Sequence, residues 1–423
     1  MIDWATVAVT AVVACVATTL ALNFVTAERR LSKSPPRWYG SKDPDFRRAT
    51  GVLLGPAILP GNQVQVLVNG NEIFPAMLKA IAAAKRTICF ETFIYWSGEI
   101  GEEFENAFVA AVQRGVAVHI LLDWVGSRRM DKKMLSRMSD AGAQVRIFHP
   151  FTWHHLGRMN NRTHRRLLVL DGRVGFTGGV GIAPQWVGNA EDPYHWRDTH
   201  FRVEGPVVAQ MQAVFLDNWI KTSGDILHGE YYFPALKGAG DMDAQMFGSS
   251  PSGGSDSLHL LILLAITAAR KSIDIGHSYF VPDRLTLKTL LEACKRGVKV
   301  RVLVPGRHID VPMVRYASRA RWGRLLSAGA EIYEYLPTMF HCKVMIVDGQ
   351  WVSVGSANFD TRSFRLNDEA NLNVFSDKLA TELTRTFNAD LEHSRRFVKR
   401  RWRNRTAARR TLEWLASRVE SQL

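Results

Sequence analysis

The chain repeats itself once, and each copy ends in the same chemical pattern. His164, Arg166 and Asp171 in THRRLLVLDG are echoed by His341, Lys343 and Asp348 in FHCKVMIVDG. The flanks repeat too: AIAAAKRTI from Ala80 matches AITAARKSI from Ala265, and QRGVAVHILL from Gln113 matches KRGVKVRVLV from Lys295. DAGAQVRIFHP from Asp140 likewise matches SAGAEIYEYLP from Ser327. Self-similarity at this scale points to two structural units of one kind. Matched residues lie 171 to 187 positions apart, a drift that loop insertions produce.

Within each unit, helical and strand patterns alternate. Phe74 to Ala84 carries helical apolar spacing, and Thr87 to Tyr95 is a short apolar run. Phe104 to Arg114 is helical and stops at Gly115, and Val116 to Leu122 is β-branched and apolar. Alternation of this kind predicts an α/β fold with a covered sheet, and two such domains pack as a dimer does, about a pseudo-twofold axis. The Gly- and Ser-rich stretch from Gly238 to Ser257 is the predicted boundary.

The ends of the chain point to a membrane. Trp4 to Ala27 holds no charged residue, and as a helix it is about 36 Å long, enough to span a bilayer. A cleaved signal peptide is the competing reading, but the only charge before the run is Asp3. Arg29, Arg30 and Lys33 follow, which predicts a single-pass anchor with the catalytic part in the cytoplasm. The formal net charge of +14 predicts an anionic partner. The run RRFVKRRWRNRTAARR from Arg395, followed by Leu412, Trp414 and Leu415, reads as an amphipathic helix on an anionic membrane surface. A nucleic-acid patch is the alternative, and no nucleic acid is expected. The four cysteines show neither CxxC spacing nor a ligand cluster with histidine, so neither disulfides nor zinc is expected.

The His-x-(Lys/Arg) pairs carry the chemistry. Side chains alternate along a strand, so His164 and Arg166 share a face, as do His341 and Lys343. Histidine exchanges protons near neutral pH, and a neighbouring cation suits a phosphate. Asp171 and Asp348 fall in tight turns before Gly172 and Gly349, where fixing geometry is their expected job. Aligning the repeats sets Asp198 against Glu369, each five residues before a strand valine, Val203 and Val374. These are the predicted carboxylates for the far nitrogens of the imidazoles.

From about Leu67 to His393 the chain resembles bacterial cardiolipin synthases of the phospholipase D superfamily. The signature H-x-K-x4-D followed by G-S-x-N is complete in the second half, with His341, Lys343, Asp348, Gly355, Ser356 and Asn358. RLNDEANLNV and WRDTHFRVEG are similar to the same subgroup. The first half departs: Arg166 stands for lysine, and Gly179 and Gly181 stand where Ser and Asn stand in the second. The resemblance implies two tandem pseudo-symmetric phospholipase D-like domains, each a mixed sheet flanked by helices, over 51–237 and 258–394. Around them lie an anchor over 4–27, linkers over 28–50 and 238–257, and a basic segment over 395–423.

The resemblance also implies a covalent mechanism without metal or cofactor. His164 attacks phosphorus, His341 serves as acid and base, and Arg166, Lys343, Ser356 and Asn358 steady the oxygens. The implied reaction is phosphatidyl transfer between two phosphatidylglycerol molecules with release of glycerol. A phospholipase D-type hydrolase and an inactive lipid-binding protein are the alternatives.

Overall fold

The computed structural model describes residues 3–22, 31–150, 160–251 and 257–418. The expected repeat appears as one continuous sheet. The first half supplies β1 (Leu59–Val68), β2 (Thr87–Thr92), β3 (Ala117–Asp123), β4 (Gln144–Phe148), β5 (Arg162–Thr163), β6 (Leu167–Leu170), β7 (Val174–Gly178) and β8 (Thr199–Glu204). The second supplies β9 (Met242–Ser249), β10 (Ser272–His277), β11 (Lys299–Pro305), β12 (Glu331–Tyr335), β13 (Lys343–Val347), β14 (Trp351–Gly355), β15 (Asn367–Phe375) and β16 (Ser394–Phe397). The order across the sheet is β16-β12-β11-β10-β13-β14-β15-β9-β1-β8-β7-β6-β2-β3-β4, with β5 beside β15. Read outward from the β1–β9 contact, the halves mirror each other strand for strand, except that β16 extends the second. β2, β3 and β4 run parallel, as do β10, β11 and β12, while the His-bearing hairpins pair antiparallel.

Helices cover both faces. On one lie α6 (Val207–Ser223) and α11 (Asp377–Glu392), over a core that runs unbroken through both halves. Phe215 and Trp219 from α6 meet the same cluster as Leu383 and Phe387 from α11. On the other face the core divides. α3 (Asn69–Ala83), α4 (Glu99–Gln113) and α5 (Lys132–Asp140) cover the first half, and α7 (Ser257–Ala268), α8 (Arg284–Lys295) and α9 (Pro312–Ser327) cover the second. Each fully buried Leu, Val or Phe contributes about 1.5–3 kcal/mol, so the shared cluster welds the halves together. The twin QRG and KRG motifs end α4 and α8 alike. Gly115 and Gly297 follow the caps at φ of 84° and 85°, a left-handed conformation that favours glycine.

Three segments differ from expectation. The boundary predicted over 238–257 contains β9, which sits at the centre of the sheet and pairs with β15 from Glu369↔Ser249 to Phe375↔Asp243. Its alternating Met242, Ala244 and Met246 are buried in the shared core, but the run is short and set among glycine and serine, which hides it. Residues 31–50, predicted as linker, lie on the second half. There α2 (Pro44–Leu54) buries Phe46 among Leu258, Ile262 and Phe375. Arg47 pairs with Asp243, and the Ser41 hydroxyl donates to Asp348 Oδ2 at 2.5 Å. The basic C-terminus forms the edge strand β16, then α12 (Lys399–Arg403) and α13 (Ala407–Arg418), which pack on α9.

At the N-terminus α1 (Trp4–Leu22) presents Trp4, Val7, Val9, Val12, Val13 and Val16 to its surroundings. Residues 23–27 of the expected span lie outside the described residues. Among the described residues, no helix is long and apolar enough to cross a membrane.

Candidate active site

The two His motifs enter the centre from opposite halves by the same route. The His164 backbone N–H donates to the Asp368 carbonyl at 2.9 Å, and that of His341 donates to the Arg197 carbonyl at 2.7 Å. Each carbonyl belongs to the residue just before a predicted carboxylate. The pairing therefore crosses the pseudo-axis. His164 Nδ1 lies 3.0 and 3.1 Å from the Glu369 oxygens, and His341 Nδ1 lies 2.7 Å from Asp198 Oδ2. The sequence identified both carboxylates but left open which serves which imidazole.

A cation lies beside each ring. Arg166 Nη2 is 3.1 Å from His164 Nε2, and Lys343 Nζ is 3.1 Å from both Nε2 and Nδ1 of His341. Both also donate to the backbone carbonyl of their own histidine, at 2.7 Å. Guanidinium and ammonium groups only donate, so the hydrogen-bond network assigns the tautomers. In each ring Nδ1–H donates to a carboxylate, and Nε2 keeps its lone pair toward the cation. Arg166 and Lys343 are buried beside their histidines, as are Asp198 and Glu369.

Charge balance follows from this packing. Burial, then Arg166, pushes the His164 imidazole down to about 4. Burial, then Lys343, pushes His341 down to about 3. Lys343 itself falls to about 7, through burial and with Arg166 adding repulsion. Burial opposes ionisation of Asp198 and Glu369, but the facing imidazoles and hydrogen bonds outweigh it and hold both carboxyls below their usual range. The resting centre is thus two neutral imidazoles between anchored carboxylates and crowded cations, and a phosphodiester anion would relieve that crowding.

Asp171 and Asp348 are not brought to this centre. Both adopt φ of 53°, a conformation Asp tolerates. Asp171 accepts from the backbone N–H groups of Lys85, Arg86 and Thr87. Asp348 accepts from those of Arg270, Lys271 and Ser272. Each fastens its hairpin to the strand beside it, the geometric task their turns implied.

The halves differ where the sequence does. Ser356 donates to Glu369 Oε2 at 2.5 Å. Its counterpart is Gly179, where an added Cβ would lie 2.2 Å from Asp198 Oδ1. The indole N–H of Trp186 takes over the serine's task, donating to Asp198 Oδ2 at 2.9 Å, and its ring lies 5.2 Å from that of His341. A Cβ at Gly181 would come within 2.9 Å of Ile94 and 3.2 Å of Trp186, so the indole also occupies space that Asn358 has in the second half. Lys343 donates to Ser278 at 3.0 Å, and Ser278 donates to Asn358 at 2.7 Å. Repeat alignment sets Ser278 against Phe93, whose ring stands 5.2 Å from His164. Trp186, Ser278 and Phe93 are absent from the sequence-based site, although comparing the two repeats position by position marks the Phe93/Ser278 exchange.

Buried arginines brace the crossing. Arg197 grips Asp390 of α11 at 2.8 and 2.9 Å. Arg165 reaches Asp217 of α6 at 3.0 Å and Asp368 at 3.6 Å. Removing one partner of such a pair costs about 3–5 kcal/mol, because a buried charge is then left uncompensated.

Known proteins are similar to this chain in sequence or in fold. The family described as "Cardiolipin synthase, PLD-like domain" matches residues 77–219 and 262–391. The cardiolipin synthase of Halalkalibacterium halodurans is 36% identical over 87% of this chain and 73% of its own length. The major cardiolipin synthase of Bacillus subtilis is 34% identical over 80% of this chain and 70% of its own. The crystal structure of phosphatidylserine synthase from Haemophilus influenzae superposes with a TM-score of 0.70 at 15% identity, covering 89% of this chain and all of that one, a likeness of fold.

Proposed function

The chain belongs to the cardiolipin synthase family of phospholipase D-like proteins, and on that footing we propose that it is a phosphatidyltransferase that joins two phosphatidylglycerol molecules and releases glycerol. One observation carries the reading: two imidazoles from different halves, each with Nδ1 on a carboxylate and Nε2 beside a cation.

His164 Nε2 attacks the phosphorus of the first phosphatidylglycerol. The phosphorus–oxygen bond to its glycerol headgroup breaks, and His341, protonated at Nε2, gives that proton to the departing oxygen. His341 takes that proton from solvent as the substrate binds, because the negative charge of the phosphodiester raises an imidazole that is otherwise held neutral. A hydroxyl of a second phosphatidylglycerol then loses its proton to His341 and attacks the phosphorus. The phosphorus–nitrogen bond breaks, and His164 is restored. Arg166 and Lys343 meet the oxygens on which charge grows. Ser356 steadies Glu369, and Asn358 steadies Lys343 through Ser278. Phosphatidylglycerol and an anionic membrane surface are the partners in this reading.

The N-terminal helix serves as a single-pass anchor in the bacterial inner membrane, with the catalytic part in the cytoplasm. Its exposed valines and the Arg29, Arg30 and Lys33 that follow support this. Protease added outside spheroplasts should leave the catalytic part intact, and its digestion would reverse the orientation.

The test of activity is the full chain in detergent with phosphatidylglycerol alone. Cardiolipin and glycerol should appear together. Phosphatidic acid in their place would make the chain a hydrolase, and no turnover at all would leave a lipid-binding protein.

A further inference from the structure

The C-terminal segment does more than add charge. It closes a cleft of about 400 Å³ against α9, lined by Arg319, Val398, Arg400, Arg401, Arg405 and Arg409. Arg319 forms the buried floor, and its guanidinium lies 5.3 Å from the Phe397 ring. The carboxylates nearby are already engaged. Glu334 accepts from Arg315, Arg319 and Arg395, and Glu413 pairs with Arg405. Arg400, Arg401 and Arg409 are exposed and form no ion pair among the described residues. The cleft therefore gathers more cations than its carboxylates can balance, in a fork-shaped donor set suited to phosphate oxygens.

Apolar side chains accompany it. Val398 at its edge is half exposed, and Leu412, Trp414 and Leu415 elsewhere on α13 also face outward. α13 contacts α9 through Ala416, beside Val314 and Ala317, so these larger apolar side chains are left free. Unpaired arginines and outward apolar side chains on one segment together match a phospholipid at a bilayer surface, with its phosphate in the cleft and acyl chains beside α13. The cleft is remote from the reacting centre. β16 stands four strand steps from β13, about 19 Å along the sheet.

We infer that this arginine-lined cleft is a second lipid site, binding the headgroup phosphate of an anionic phospholipid that is not being turned over. The inference rests on reading the chain as a phospholipid enzyme, and it adds a site which that reaction does not need. It holds the second half against the membrane while the central site exchanges substrate.

The test is calorimetric titration of the full chain in nonionic detergent. The lipid arm uses dihexanoyl phosphatidic acid, and the free-anion arm uses inorganic phosphate. R400A/R401A/R409A should bind the lipid at the cleft at least tenfold more weakly, seen as one class of sites lost. K79A/K132A/K133A removes three exposed cations elsewhere and should bind as wild type does. Inorganic phosphate should titrate alike in all three proteins. An unchanged lipid titration in the arginine variant overturns the site, and equal losses in both variants reduce it to a general field effect. The same loss for inorganic phosphate makes it a free-phosphate site and overturns the lipid assignment. Turnover of dispersed short-chain phosphatidylglycerol should match wild type. Absence of turnover in the wild type would fault the proposed reaction while leaving the titrations readable.

Discussion

The two halves of the centre solve one problem with different materials. In the second half two serines, an asparagine and a lysine supply polar contacts, Ser356 on Glu369 and Lys343 through Ser278 to Asn358. In the first half Trp186 replaces the serine, Phe93 replaces Ser278, and Arg166 replaces the lysine. A compact ammonium needs fixed acceptors around it. A guanidinium reaches the His164 carbonyl and Nε2 through two separate nitrogens, whereas the single nitrogen of Lys343 makes the equivalent two contacts and the one to Ser278. The arginine is therefore suited to an apolar setting rather than a sign of decay.

The largest test of this comparison exchanges nothing but the imidazoles. H164A and H341A should each lower kcat by about 10³-fold or more, measured on phosphatidylglycerol in detergent. Quenching in denaturant at neutral to mildly alkaline pH, where a phosphorus–nitrogen bond survives, with donor labelled at phosphorus should leave label on wild type and none on H164A. Label that persists there but vanishes in H341A would exchange the two roles. E369Q and D198N come next, each costing about 10–100-fold in kcat through loss of the carboxylate that sets the tautomer. Similar losses at both would support the crossed pairing, and an effect at only one would show a lopsided centre.

The cations should separate the halves. K343R should cost about 10²-fold, because Lys343 is enclosed by Ser278 and its own histidine. R166K should cost about tenfold, and F93S in that background should restore part of the loss by supplying an acceptor. R166K equal to wild type would break the argument that the apolar setting calls for arginine. The lysine also gives a pH signature. Its ammonium sits at about 7 in the free site, and a bound anion raises it. Binding of orthovanadate then takes up a proton above about 7, so affinity should fall as pH rises past that point, by up to tenfold per unit. K343R should abolish the step. The smallest effect belongs to W186F, which leaves Asp198 without its indole donor and should cost about 1–3 kcal/mol of stability in thermal melts.

Much of this centre was legible in the chain. The twin motifs, both carboxylates and the two-unit fold follow from repetition, because duplicated residues in duplicated context declare a shared task. The crossing of Glu369 to His164 was not legible, since alignment within a repeat says nothing about partners across the axis. Trp186 stayed hidden because it reaches Asp198 from the short 3-10 helix Pro184–Trp186, and the residue matching it in the other repeat, within Thr361–Arg365, is the chemically unlike Ser363. β9 was masked by its glycine and serine neighbours, and 31–50 by its polar and proline content. Both are held by tertiary contacts, to β15 and to α7, that local pattern does not encode.

The exchange of carboxylates between halves makes the enzyme a conjunction of its two lobes. Neither imidazole has its proton directed from within its own repeat, so any motion that parts the lobes disarms both at once. An assembly built this way has no half-active condition, and a free lobe would carry a histidine and a cation but no means of aiming them.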